Sequence, residues 1–243
     1  SFYPQDLRLN GIVNLLDRTI RDLQDKTLSM RMTPLKGLFL KVQRIIRDLS
    51  VKIGKPVDFE MSGEETEIDR TMVELLADPL MHIVRNSIDH GIEKTDVRKA
   101  AGKPERGLIH VSARQSGGRV LVEIRDDGGG INRQRVLQKA REKGLLSPDR
   151  NPDSLSDSEV FNFLFMPGFS TAEKVTNVSG RGVGLDVVKT NIEMLSGKIE
   201  IFTEIDKGTT FIISLPSSLS IIKGLIFKSN NQLFVIPESQ ISE

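Results

Sequence analysis

Three short segments carry residue types that could do chemistry. The first runs His82-Ile-Val-Arg-Asn86-Ser-Ile-Asp89-His90-Gly91. On a helix, residues 82, 86 and 89 or 90 share one face. That face holds two imidazoles, an amide and a carboxylate, while Ile83, Val84 and Ile88 take the other side. An amide supplies an oxygen without charge. That suits a Mg²⁺ ion already surrounded by phosphate oxygens and water. The alternative is a solvated helix face that stops at Gly91.

The second segment is Arg125-Asp126-Asp127-Gly128-Gly129-Gly130-Ile131, after a strand over 120–124. An aspartate at a strand end can accept a hydrogen bond from an exocyclic amine. Glycines beyond it let a flat ring approach the backbone. A plain acidic turn is the competing reading. The third segment, Ser179-Gly180-Arg181-Gly182-Val183-Gly184, opens a helix that continues through Leu185. Alternating glycines at a helix start turn several N–H groups, and the positive end of the helix dipole, toward an anion. It is not a dinucleotide fingerprint, since Leu185 stands where the last glycine belongs and no strand precedes it. It is not a Walker loop, since Gly-Lys-Ser/Thr is missing. A flexible linker would explain the glycines but not the abrupt change to Leu185-Asp186-Val187-Val188.

Around these segments, the pattern is mixed. Residues 6–50 read as helix, with a heptad seam through Leu9, Val13, Leu16, Ile20, Leu23, Thr27 and Met30. A second stripe, Leu35, Leu38, Val42, Ile45 and Leu49, follows Pro34, which should kink or break the helix. Such a narrow seam wants a partner helix, from within the chain or from another copy. A short strand carries Val57, Phe59 and Met61. Residues 69–91 are helical by period, with Pro79 expected to bend or interrupt them. Residues 107–114 and 119–125 form a hairpin around Ser116-Gly117-Gly118. Helices follow over 132–143 and 156–165, the latter with Ser156 and Glu159 spaced as a capping box. Residues 166–182 read as loop and 183–195 as helix. Residues 198–204 and 209–215 form a hairpin around Asp206-Lys207-Gly208. This order predicts an α+β fold, a two-layer α/β sandwich with helices on one face, preceded by a long helix or helical hairpin. Residues 219–227 and 233–236 form a last hairpin, too small to bury a core alone.

Composition narrows the class. Among 243 residues, 34 Lys and Arg stand against 33 Asp and Glu, a net charge of +1. Nucleic-acid binding by bulk charge has no support. The chain has no cysteine, which excludes disulfides, a thiolate zinc site and a cysteine nucleophile. Three histidines cannot make a rich metal cluster. No apolar run approaches the roughly 20 residues of a membrane span. A cytoplasmic protein fits best. The chain starts without Met and stops after a strand-like run, so it reads as a piece of something longer.

The order of the three segments resembles the nucleotide-binding fold shared by histidine kinases, type II topoisomerases and heat-shock chaperones. The stretches HIVRNSIDHGIE, DDGGGI and FMPGFSTAEKVTNVSGRGVGLDVVK are more narrowly similar to the histidine kinases of bacterial chemotaxis. LQDKTLSMRMTPL resembles the end of their dimerisation helices, and SLSIIKGLIFKSNNQLFVIP the start of their regulatory domain. The resemblance implies three parts: residues 1–53 from the dimerisation domain, 54–216 as the ATP-binding kinase domain, and 217–243 as the first hairpin of an SH3-like regulatory domain.

It also implies roles. Asn86 would hold Mg²⁺ bridging the ATP phosphates, and Asp126 would accept from the adenine amine. Gly128, Gly130 and Ile131 would line the base, and Gly180, Gly182 and Gly184 would contact phosphate. Residues 165–182 would act as a lid. Asp89, Ser179, Arg181, Val183, Leu185 and Thr210 complete the implied nucleotide-binding set. Ala172 follows Thr171 where some relatives have lysine, which leaves Lys174 as the nearest lid cation. His82 and His90 are the implied catalytic residues, the first handling the γ-phosphate. Topoisomerase-type ATPases carry a water-activating glutamate where His82 stands, so transfer to a protein is expected over hydrolysis. The implied acceptor is a histidine on a separate phosphotransfer domain, since His110 lies in a strand and reads as structural. A homodimer through the N-terminal helix is implied, as are an adaptor protein and chemoreceptors met through the regulatory domain, within membrane receptor arrays. A nucleotide-binding signalling scaffold without turnover is the alternative.

Overall fold

A computed structural model describes residues 7–146, 151–169, 184–217, 224–229 and 232–237. Helix α1 (Leu7–Ser29) leads through strand β1 (Met32–Pro34) into α2 (Lys36–Ile53). Strands β2 (Val57–Ser62) and β3 (Glu67–Asp69) precede α3 (Arg70–Asn86), which widens into a π-helical turn (Ser87–Gly91). Then come α4 (Thr95–Ala100), β4 (Gly107–Ser116), β5 (Arg119–Asp126), α5 (Arg133–Glu142) and α6 (Asp157–Asn162). Helix α7 (Leu185–Met194), β6 (Lys198–Glu204), β7 (Gly208–Pro216) and a hairpin of β8 (Gly224–Ser229) and β9 (Gln232–Pro237) complete the described chain.

Five strands form the central sheet in the order β2-β4-β5-β7-β6, with β2 parallel to β4 and the other neighbours antiparallel. Side chains alternate across it with period two. Ile109, Val111, Val120, Val122, Ile124, Phe211, Ile213 and Leu215 are buried in one core with Leu76, Leu80, Ile83 and Val84 of α3. Burying each such side chain contributes about 1.5–3 kcal/mol. Their alternates, such as His110, Glu123 and Thr210, are half-buried on the other face. Helices α2, α3, α6 and α7 cover the apolar face, giving the two-layer α/β sandwich.

The helical N-terminus departs from the expectation in three ways. Pro34 does more than kink a helix: 32–34 is extended and pairs antiparallel with β3, Met32 opposite Asp69. Helix α2 is not a continuation of the first seam. Leu35, Leu38, Phe39, Val42 and Ile46 are buried in the same core as the sheet. The sheet unit therefore begins near Met32 and includes α2, where the expected boundary lay after residue 53. Ile46 takes the place expected for Ile45, because a 3.6-residue period drifts against a heptad. Helix α1 keeps its seam exposed, with Val13, Leu16, Ile20 and Leu23 each at least 50% accessible.

Helix α3 runs unbroken through Pro79, whose ring is buried in the core. Asp69 caps its first turn by accepting from Thr71 N–H at 2.8 Å. Arg31, in the turn between α1 and β1, donates to Thr71 Oγ1 at 2.9 Å and lies 3.4 Å from Asp69 Oδ2. The capping box of Ser156 and Glu159 is present at the start of α6.

Candidate functional site

Strand β5 ends at Asp126, a carboxylate only 2% exposed. Three donors reach it. Ser87 Oγ donates to Oδ2 at 2.8 Å. The N–H groups of Gly128 and Thr209 donate to Oδ1 at 3.0 Å and 3.2 Å. An ionised carboxylate offers about four lone-pair sites. Oδ1 is filled, and Oδ2 keeps one site for an outside donor. Burial pushes the Asp126 pKa up, against the pull of the three hydrogen bonds.

The glycine turn after Asp126 packs too closely for side chains. A Cβ on Gly128 would collide with the Gly91 carbonyl, and one on Gly91 would sit 3.2 Å from Asp126 Oδ1. Gly129 N–H donates to that same Gly91 carbonyl at 3.0 Å. On its far side the turn is joined to the β6–β7 hairpin. Asp206 N–H donates to Gly129 O at 3.0 Å, and Ile131 N–H to Thr203 Oγ1 at 2.9 Å. Gly130 has φ +73°, where a side chain would meet Glu204 O.

Ser87, the cap of α3 and the first residue of the π-helical turn, meets Asp126. The turn closes with Ile92 N–H donating to Ser87 O at 2.6 Å. Asn86 ends α3 one residue earlier and is half-buried, while Asp89 and His90 are exposed. His82 lies one turn before Asn86. Its pKa is lowered by burial first and by the Arg85 charge next, with Asp186 and Asp89 pulling the other way. Asp186 belongs to the first turn of α7, which packs on α3. The start of α7 at Gly184 and Leu185 is thus brought beside the His82 end of α3. A buried hydrogen-bond acceptor, a glycine turn and a polar helix end together can take a flat amine-bearing ring and an attached anion.

The family profile of histidine kinase-, DNA gyrase B- and HSP90-like ATPases matches residues 76–219, more than half of the chain. The chain belongs to this ATPase family. The chain is also similar to the chemotaxis protein CheA of Klebsiella aerogenes, at 46% identity over 94% of this chain and 34% of that protein. CheA of Bacillus subtilis is 41% identical over 98% of this chain and 36% of its own length. The sensor histidine kinase CheAY of Helicobacter pylori is 45% identical over 97% and 29%. The chain spans about a third of the length of these curated relatives.

Within this ATPase domain, the structure brings together Asp126, Gly128, Gly130, Ile131 and the turn after Asn86. One expected residue is misplaced. Thr210 pairs with Arg125 and points to the opposite face of the sheet. Its neighbour Thr209 pairs with Asp126 and is 5% exposed. The parity of a strand allows only one of two adjacent threonines on each face. Lys174, Ser179, Gly180, Arg181, Gly182 and Val183 lie outside the described residues, as does most of the expected lid.

Sequence reasoning missed Ser87, Thr209, Gly91 and a buried ionic cluster behind the glycine turn. Arg98 is 0% exposed. It donates to Asp127 Oδ2 at 2.7 Å, Glu93 Oε2 at 3.0 Å and Pro104 O at 2.7 Å. Lys103 Nζ reaches Glu93 Oε1 at 2.7 Å and Gly128 O at 2.8 Å. Asp127 Oδ1 in turn accepts from Leu108 N–H at 2.8 Å. This cluster clamps residues 127 and 128, so Asp126 is aimed the other way. Ser87 sits inside the first quoted segment and could have been found there. Nothing local marks Arg98.

Proposed function

We propose that the chain is the ATP-dependent core of a protein-histidine kinase of the chemotaxis type, transferring the ATP γ-phosphate to a histidine on a separate phosphotransfer domain. One observation carries the reading: Asp126 is buried, anchored by three donors, and keeps one acceptor site on Oδ2. The adenine amino group is the donor that completes it. A guanine would bring a carbonyl oxygen to that acceptor and be repelled. Gly128, Gly130 and Ile131 line the base in this reading. The same reading assigns Gly180, Gly182 and Gly184 to phosphate contact through their N–H groups, and Asp89, Ser179, Arg181, Val183, Leu185 and Lys174 to the rest of the nucleotide-binding set.

Asn86 fits a Mg²⁺ ion that phosphates already neutralise, through one uncharged oxygen. Among the described residues no group of three His, Cys, Asp or Glu could hold a metal alone. The ion would draw its remaining ligands from phosphate and water. Mg²⁺ when bound neutralises charge on the transferring group. Phosphoryl transfer otherwise asks the protein for positioning. His82, held toward the neutral form by burial, offers one N–H to a phosphate oxygen and is a poor activator of water. His90 lies on the other side of Asn86, where it can also meet the polyphosphate.

The exposed seam of α1 supports a homodimer formed through that helix, residues 1–31 in this reading. The hairpin β8–β9, with Phe227 and Phe234 stacked at 5.4 Å, reads as the opening of a regulatory domain that meets an adaptor and chemoreceptors. No described helix is long and apolar enough to cross a membrane. We place the protein in the cytoplasm beside receptor arrays.

The chain is mixed with Mg²⁺, labelled ATP and a phosphotransfer domain. The expected result is label on that domain, stable to base and lost in acid. Nucleotide binding without label would reject the kinase and leave a scaffold. Fast phosphate release without an acceptor would point to an ATPase.

A further inference from the structure

Lys55 follows Gly54, the left-handed residue that ends α2. Its side chain is buried, 9% exposed, and among the described residues no other lysine is buried. Its ammonium donates to Ile88 O at 2.8 Å, Asp89 O at 2.8 Å and Ile92 O at 2.7 Å. An ammonium has three N–H groups, and all three are used. The other end of Lys55 is fixed too. Its backbone carbonyl accepts from Ser50 Oγ at 2.6 Å, and its N–H donates to Ser50 O at 3.2 Å. The side chain is a strut from the end of α2 to the end of α3.

The three carbonyls belong to the π-helical turn and the residue after it. Helix ends leave carbonyls without intrahelical donors, and they carry the negative end of the helix dipole. A π turn is a rare conformation that needs outside support. Here the support is a buried cation. The turn lies between Ser87, which donates to Asp126, and Gly91, whose carbonyl takes Gly129 N–H. Both contacts depend on the register of the turn. Slipping back to α-helical spacing would turn residues 88–91 relative to Ser87, so the Ser87 bond to Asp126 and the Gly91 bond to Gly129 could not both be kept.

We infer that Lys55 is a positioning residue for base recognition, holding the π-helical turn in the register that sets Ser87 and Gly91 against Asp126. This rests on the adenine reading of Asp126. Burial lowers the Lys55 pKa, with Asp89 opposing, which agrees with an ammonium desolvated in a carbonyl cage.

A double-mutant cycle tests it. Titration calorimetry with ADP is run on the chain as it stands, on Lys55→Met, on Ser87→Ala and on the double variant. Lys55→Met is expected to weaken ADP binding about tenfold, and to cost little more once Ser87→Ala is present, because Lys55 acts through Ser87. Unchanged affinity, or losses that simply add, would overturn the inference. Failure of the unaltered chain to bind ADP would instead sink the adenine reading and this inference with it. Should Lys55→Met not fold, Lys55→Ala is prepared in ammonium chloride and in sodium chloride. Recovery of ADP binding with ammonium alone supports the strut. Equal behaviour in the two salts, or no folding in either, assigns Lys55 a purely structural role and overturns the positioning one.

Discussion

The Ser87 hydroxyl donates to Asp126 Oδ2 at 2.8 Å across 39 residues of sequence. That bond ties the end of α3 to the end of β5. It also leaves the carboxylate with one acceptor direction, beside a glycine turn too tight for side chains. The proposed specificity for adenine depends on this arrangement, so its alterations are the most informative.

Asp126→Asn is nearly isosteric and tests the base directly. The N–H groups of Gly128 and Thr209 will hold the amide oxygen, which turns the amide nitrogen toward Ser87 and the base. A donor there opposes an amine and suits a carbonyl oxygen. ADP affinity is expected to fall by about 10- to 100-fold, on the scale of an unmet buried hydrogen bond. Hypoxanthine nucleotides are expected to gain relative to adenine ones. Competition titrations with ADP and inosine diphosphate check this, and an unchanged adenine preference contradicts it.

Gly128→Ala pushes a methyl group against the Gly91 carbonyl. The glycine turn and the π-helical turn must then separate, and the Gly129 to Gly91 bond is lost. Overpacking of this kind costs about 1–3 kcal/mol. Thermal unfolding is expected to show a modest loss, while nucleotide binding drops below detection at micromolar protein. Retained binding would mean that the turn does not touch the ligand.

Arg98→Met removes the buried partner of Glu93 and Asp127. Glu93 keeps Lys103 and Asp127 keeps the Leu108 N–H, so the loss of the shared cation is expected to cost about 1–3 kcal/mol at neutral pH. Burial by itself would raise the Glu93 pKa, but the Lys103 hydrogen bond and the charges of Lys103 and Arg98 together hold it low. A carboxylate with a depressed folded pKa stabilises above its unfolded value, near 4.5, and that stability is lost as pH falls through the folded value. The gap between variant and parent should therefore narrow below pH 4.5, because protonated carboxyls need no partner. Denaturant melts across pH check this. A constant gap would assign the loss to packing.

His82 should titrate below the ordinary 6.5, since burial and Arg85 both disfavour its charge. Such a group stabilises the fold above pH 6.5, and that contribution is lost as pH falls through its lowered value. NMR titration of the imidazole is expected to give a midpoint under 6.5, raised by Arg85→Gln and raised further by bound ATP, whose anion favours the imidazolium. No response to ATP would remove His82 from the phosphate.

Much of this architecture was legible in the chain because it is periodic. Alternation through Ile109, Val111, Val120 and Val122 marks the hairpin of β4 and β5, and Ser156 with Glu159 marks the start of α6. Asp126 could be read as an acceptor from its place between a strand and glycines. What escaped is nonlocal or aperiodic. Three residues, Met32 to Pro34, are too few to show a strand period, and their pairing partner is 35 or so positions away. The choice between Thr209 and Thr210 turns on strand parity at a hairpin whose exact turn sets the register. Neither Lys55 nor Arg98 announces itself, because a buried cation is defined by carbonyls and carboxylates that folding brings from elsewhere.

A crystal structure with a non-hydrolysable ATP analogue and Mg²⁺ tests the central claim most directly. The adenine amino nitrogen is expected about 3 Å from Asp126 Oδ2, with the metal at the Asn86 amide oxygen and the triphosphate running toward the start of α7. A base seated away from Asp126, with Oδ2 still facing only Ser87, would contradict it.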